Sequence, residues 1–254
     1  MATTTTNNDE IQIGFVENTD DLVQAFDCQI ATFGRQTADS IWRSSNPGWD
    51  TPEGRDVGIK HAINRWNSVT RDHNGNPNTI FLKATVPDEA SPGGRKLVGY
   101  AIWVQHSAVP GHGEPVPNEA QRLEASRVIH PHNETEARFL SQMCVSLYKR
   151  RAEVAQEKAA TDQPAFLVLD CCIVDPSYQG RGIARQLVQW GLEEAERRGG
   201  LEATTEGSVM GRRVYTKLGF QAEPAGEVVM GTIEDEECIK CLFVVLNTGG
   251  TKRE

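Results

Sequence analysis

Three groups of residues in this chain have types and spacings that could do chemistry. The first is Gln179-Gly-Arg-Gly-Ile-Ala184, a glycine-rich turn between a β-branched apolar run ending at Asp175-Pro176 and a helical pattern. Strand, turn and helix N-terminus in that order make an anion site, because backbone N–H groups converge there and the positive end of the helix dipole lies behind them. Gly180 and Gly182 allow close backbone approach, Gly182, Ile183 and Ala184 can present N–H groups, and Arg181 and Arg185 can add charge. The second is Asp170, the one acid in the apolar run Phe166-Leu-Val-Leu-Asp-Cys-Cys-Ile-Val174. Burying an unpaired carboxylate is costly, so this residue has either a structural partner (a backbone N–H or an arginine) or a task. Burial would raise its pKa toward the range of a general base. On a regular strand Val168, Asp170 and Cys172 share a face. The third group is Cys238-Ile-Lys-Cys241 with His106, His112, His130 and His132. Residues three apart on a strand face opposite ways, no second cysteine pair follows, and the histidines lack one-helix spacing, so no metal site is expected.

Several elements must position these residues. Ile11–Phe15 alternates as a first strand, and Asp20-Asp21 opens a helical pattern carrying Leu22, Val23, Phe26 and Ile30. Ile59, Ala62, Ile63 and Trp66 predict a helix over 55–69. Thr79–Val86 and Leu97–Val104 are strands joined through Ser91-Pro-Gly-Gly94 as a hairpin. The stretch 106–118 is irregular, and 119–160 is mostly helical with a break near His130-Pro-His-Asn133. Phe166–Val174 is a strand buried on both faces, followed by a helix over 183–198 that Gly199-Gly200 stops. A strand over 201–206, a short helix over 207–218 and strands from 220 and over 238–246 complete the order. Ser208 stands where an N-cap or a cofactor contact is needed, and Glu206 ends the strand before it. The order predicts one mixed α/β domain over 9–248, with disordered tails at 1–8 and 249–254.

The 254 residues carry a formal net charge of −9, which argues against nucleic acid and anionic membrane surfaces as partners. No apolar run is long enough to span a bilayer. Met1–Asn8 has neither a basic region nor an apolar core, and the six cysteines are scattered, so a cytoplasmic protein with reduced thiols is expected. The sequence sets no oligomeric state.

The glycine turn excludes two nucleotide-binding loops. No Lys-Ser or Lys-Thr follows it as in a Walker A loop, and Arg185 stands where a dinucleotide fingerprint has its last glycine. Gln179 to Ala184 does match Q/R-x-x-G-x-G/A, and here the chain resembles the GNAT acyl-CoA N-acyltransferases. Val214-Tyr-Thr-Lys-Leu-Gly-Phe220 resembles the second block of that superfamily, Y-x-x-x-G-F, and the likeness covers about 166–220.

The resemblance implies a GNAT fold. That is a central mixed, largely antiparallel sheet with helices on both faces and a V-shaped splay between the fourth and fifth strands. It implies acetyl-CoA as acyl donor, with the pyrophosphate on the glycine turn and the pantetheine arm along the edge at Cys172, Ile173 and Val174. It implies direct attack of an amine on the thioester, with Tyr215 as general acid. Several family members carry Glu or His on the Asp170 strand face, the arylalkylamine N-acetyltransferases having histidines at positions matching Val168 and Asp170, which makes Asp170 the candidate base. Trp42, Trp49 and Trp66 fall in the region that walls the acceptor site, Trp66 better suited to packing. The 106–163 stretch is expected as an insertion over the substrate side. The expected acceptor is a small-molecule amine; the alternatives are a protein or peptide amine, which the acidic run Glu234–Glu237 would suit, and a non-catalytic acyl-CoA sensor.

Overall fold

The computed structural model describes residues 11–230 and 239–248. Seven strands form one sheet in the order β1-β2-β3-β4-β5-β7-β6. They are β1 (Gln12–Phe15), β2 (Thr79–Pro87), β3 (Arg95–Ser107), β4 (Ala165–Val174), β5 (Glu202–Gly207), β6 (Gln221–Met230) and β7 (Ile239–Asn247). Every neighbouring pair is antiparallel except β4 and β5. The α-helices among the described residues are seven, α1 (Thr19–Gln29), α2 (Ser40–Ser45), α3 (Pro52–Asn67), α4 (Glu119–Ile129), α5 (Glu134–Lys158), α6 (Ile183–Arg197) and α7 (Val209–Lys217). Cys238 and Glu234–Glu237 lie outside the described residues. Among the described residues no helix is long and apolar enough to cross a membrane.

Two apolar layers sandwich the sheet. On one face α6 sets Ile183, Leu187 and Val188 against Leu167, Leu169 and Trp103, and Tyr215 and Phe220 join the same cluster. Gly191 sits in the middle of α6 because a Cβ there would meet the fully buried Trp103 ring at 2.0 Å. On the other face Leu22 and Ala25 of α1 pack on Tyr100, Ile102 and Ile173. Val154 and Ala155 of α5 cover Phe166 and Val168 beside them. Helices α1 and α5 therefore build the second layer, and the break between α4 and α5 falls at His130–Asn133, as the sequence predicts.

Two irregularities make the site. Between β4 and β5 only Phe166, Leu167 and Val168 are paired, with Glu202, Ala203 and Thr204, and beyond that point the strands separate. Thr205 Oγ1 donates to the Leu169 carbonyl at 3.0 Å just past the last pair. This is the expected splay, and it leaves Cys172, Ile173 and Val174 on a free strand edge. The second irregularity was not expected. Trp103 pairs with Leu169 and Ile102 with Cys171, so Asp170 is the extra residue of a β-bulge. A bulge inverts alternation for everything after it. Val168 and Asp170 share the α5 face, but Cys172 and Val174 join Leu167 and Leu169 against α6. The expectation that Cys172 looks the same way as Asp170 is corrected on that ground.

Candidate active site

Two cavities open on the splay from opposite sides. The first, of about 480 Å³, runs from the glycine turn along the free edge of β4 to α7. Six of the seven α-helices carry a side-chain N-cap, from Asn18, Asp39, Thr51, Asn118, Asn133 and Ser208. The exception is α6, whose N-cap is Gly182 at φ 79° with no capping side chain. The first N–H groups of α6 thus have no intrahelical partner and face the cavity. Gly180 (φ 78°) and Gly182 are both left-handed, and a Cβ on either would meet nothing within 4 Å, so the turn is a cradle open on its outer side. Arg185, Arg213 and Lys217 line the same cavity. Open N–H groups, three cations and a bare strand edge fit a pyrophosphate with an amide-bearing arm.

The expected cofactor residues divide. Cys172, Ile173, Val174, Gln179, Gly180, Gly182, Ile183, Ala184, Ser208 and Tyr215 all line this cavity. Arg181 does not: its guanidinium lies over the Tyr178 ring, 5.0 Å from the centroid, and this stacking turns it out to solvent. The Gln179 side chain is spent on structure. Its amide donates to the Val174 carbonyl at 3.0 Å and exchanges hydrogen bonds with Gln36 at 2.9 and 3.0 Å, tying the turn to β4 and to the helical segment Ile30–Gln36. Ser208 caps α7 by accepting from Gly211 N at 3.2 Å. Arg213 and Lys217 were missed, although their i, i+4 spacing around Tyr215 on a short helix was the available signal.

The second cavity, of about 330 Å³, is walled by α2, α5 and the other face of β4. Phe33, Ile41, Trp42 and Leu147 give it apolar surface. Of the three expected tryptophans only Trp42 lines it. Trp49 stacks behind Trp42 at 5.8 Å, and Trp66 packs in the core with Phe81 and Tyr100. Leu147, Tyr148 and Arg151 of α5, from the stretch expected as an insertion, line this cavity.

Asp170 lies in this cavity inside an ionic chain. Arg65 Nη2 donates to Asp170 Oδ2 at 2.8 Å, Arg151 Nη1 donates to Oδ1 at 2.6 Å, and Arg151 Nε donates to Glu206 Oε1 at 2.9 Å. Arg151 is 6% exposed and also stacks on Tyr148, 4.1 Å from the ring centroid. Burial alone would raise the Asp170 pKa, but the fields of Arg65 and Arg151 and their hydrogen bonds outweigh it and hold the carboxyl well below the usual range. A carboxylate so strongly stabilised has little tendency to take a proton, which weighs against the base role expected for Asp170; its contacts hold Arg65 and Arg151.

Tyr215 lines both cavities, together with Phe33, Thr37, Cys172 and Ser208. Its ring packs at 5.8 Å from Phe220 and against Gly211, where a Cβ would lie 2.6 Å from Tyr215 Cε2. Burial, then the neighbouring Cys172 and Cys171, raise the phenol pKa well above its ordinary value, so Tyr215 stays a proton donor. Burial also raises the Cys172 thiol to about 12, which leaves it a neutral lining group.

The four histidines are dispersed. His106 is buried against the Glu114 carbonyl and lowered to about 4 by burial, His112 stacks on His73, His130 contacts the Ser44 carbonyl, and His132 is exposed. Among the described residues no three His, Cys, Asp or Glu side chains gather as a metal site.

Residues 144–220 match the sequence model of the Acetyltransferase (GNAT) family. No curated protein sequence matches the chain significantly. Among solved structures, the chain is similar to mosquito arylalkylamine N-acetyltransferase like 5b at 16% identity and a TM-score of 0.55, over 93% of this chain and 97% of that one. It is similar to arylalkylamine N-acetyltransferase 2 from Aedes aegypti at 17% identity and 0.56, over 93% and 96%. The polyamine N-acetyltransferase of Drosophila melanogaster, which forms N-acetylagmatine, gives 12% identity and 0.55, over 94% and 97%. These likenesses show the fold. With the uncapped glycine turn, the splayed strands and the match over 144–220 in agreement, the chain carries an acetyltransferase domain of the GNAT family.

Proposed function

We propose that this protein transfers the acetyl group of acetyl-CoA to the primary amine of a small molecule, by direct attack in a ternary complex. The observation that carries this reading is the meeting of the two cavities at Tyr215. One cavity has the features of a pyrophosphate and pantetheine site, the other has room for a small amine, and a buried phenol stands at their junction. The acceptor cavity is roofed by α5 and has about 330 Å³, which favours a small molecule over a folded protein's tail. Neighbours of the same fold that act on arylalkylamines and polyamines support the acceptor class.

The ammonium first gives a proton to solvent water, and the neutral amine attacks the thioester carbon. The N–C bond forms and the C–S bond breaks. Tyr215 gives its proton to the departing sulfur, and the proton shed by the new amide nitrogen restores the phenol. Holding both reactants in contact supplies much of the rate.

The reading is tested by titration calorimetry with acetyl-CoA, followed by a thiol-release screen over amines and basic peptides. Wild type should bind the donor, and Gly182→Trp, which fills the open cradle, should abolish binding. Donor binding without thiol release on any amine would leave a sensor, and preference for peptides would displace the small-molecule acceptor.

A further inference from the structure

The acceptor cavity has an uneven set of charges. Its charged side chains among the described residues are Asp39, Asp170, Glu206, Arg65 and Arg151. Asp170 is held by both arginines and Glu206 by Arg151, so these four neutralise one another. Asp39 stands apart. Its Oδ1 accepts from Trp42 N at 2.8 Å, and no cationic side chain among the described residues pairs with it. Burial raises its pKa, as expected for a carboxylate lacking a counter-charge, and only the backbone N–H groups of Trp42 and Ile41 oppose this.

The backbone is bent to put it there. Helix α1 runs on into the wide π-type turn Ile30–Gln36. Ala38 follows at φ 50°, and among the described residues it is the one non-glycine in the left-handed region. Such strain persists only where the surroundings enforce it, and it concentrates at functional positions. Here it delivers Asp39 into the cavity beside the apolar side chains of Phe33, Trp42, Ile41 and Leu147.

Resting on the acetyltransferase reading above, we propose that Asp39 receives the ammonium group of the acceptor, and that the acceptor is therefore a monoamine with an apolar or aromatic body, not a polyamine. One uncompensated carboxylate binds one cation. A second ammonium would enter a site whose remaining acids are already paired, and would lose its hydration without a partner.

The test is steady-state kinetics with 2-phenylethylamine and spermidine on wild type, Asp39→Asn and Asp39→Glu, with calorimetry of acetyl-CoA on each. Asparagine caps a helix as well as aspartate does, so Asp39→Asn removes charge and keeps α2. Wild type should show kcat/KM at least about tenfold higher for 2-phenylethylamine than for spermidine, a gap of about 1.4 kcal/mol. Asp39→Asn should raise the KM for 2-phenylethylamine about tenfold or more, with acetyl-CoA affinity unchanged, and Asp39→Glu should recover part of the loss. An unchanged amine KM in Asp39→Asn, or a preference for spermidine, overturns the proposal while leaving acetyl transfer standing. Donor binding with no thiol release from either amine overturns it as well, and absence of donor binding by wild type overturns the family-level reading itself.

Discussion

Tyr215 and Arg151 show how differently two buried polar residues in one cavity can serve. Tyr215 is 8% exposed and its phenol is pushed up by desolvation, so it holds a proton over the whole working range. If it supplies the proton to the leaving sulfur, Tyr215→Phe should lower kcat by about 10²-fold with little change in either KM, since acid catalysis contributes on that scale. A pre-steady-state burst comparison checks that chemistry is the step affected. Arg151 is a structural cation. Replacing it with alanine leaves Asp170 with Arg65 alone and takes from Glu206 the cation it is paired with, and urea denaturation should show a loss of about 3–5 kcal/mol. The same network has a pH signature. The folded-state pKa of Asp170 is depressed, so its contribution is fully present above the unfolded value of about 3.9 and is lost as pH falls below it. Wild type should therefore lose stability on acidification below about pH 4, and Asp170→Asn, already weaker at neutral pH, should lose less over that interval.

At the scale of elements, α6 matters most, and its two ends are built for different purposes. Its C-terminal part is ordinary amphipathic helix, while its first turn lacks the side-chain cap that every other α-helix has. Its fit to the sheet depends on Gly191. Alanine there would drive a methyl into Trp103, and the overpacking should cost about 1–3 kcal/mol by chemical denaturation, against the gain of a few tenths to about 1 kcal/mol expected from helix propensity alone. Elements were also what the sequence revealed best. The turn at Gln179–Ala184 and the helix around Tyr215 are local, so glycine positions and apolar spacing disclose them. The partners of Asp170 are not local. Arg65 lies 105 residues before it and Arg151 lies 19 before it, and nothing in the pattern of β4 names them. Nor does the composition of β4 mark the bulge, since every residue around it is apolar or cysteine. Asp39 is hidden for another reason: an acid before a short helix reads as a cap, which it also is, and its want of a counter-charge emerges only once α5 is folded over it.

At the scale of the molecule, the sheet is two parts joined by a short seam. β1 to β4 form one, β5 to β7 the other, and three residue pairs between β4 and β5 connect them in the ladder. The donor cavity spans that seam, touching β4 on one side and α7 on the other. A donor bound there bridges the parts. At 100 times its dissociation constant acetyl-CoA should add about 2.7 kcal/mol of stability, visible as a raised melting temperature. Hydrogen exchange should slow most at the amides of Cys172 to Val174, whose edge β5 leaves uncovered. Equal slowing throughout the sheet would place the donor elsewhere.

The bulge at Asp170 has a consequence for how this strand can change over time. Leu169 lies opposite Trp103 and Cys171 opposite Ile102. If residue 170 were removed, Leu169 and Cys171 would follow one another in ordinary alternation, and Cys171 to Val174 would keep their layers. What would go is the carboxylate that Arg65 and Arg151 hold. The extra residue is thus an addition the strand carries without moving the edge beside the glycine turn: the ionic chain and the donor edge can change independently of one another.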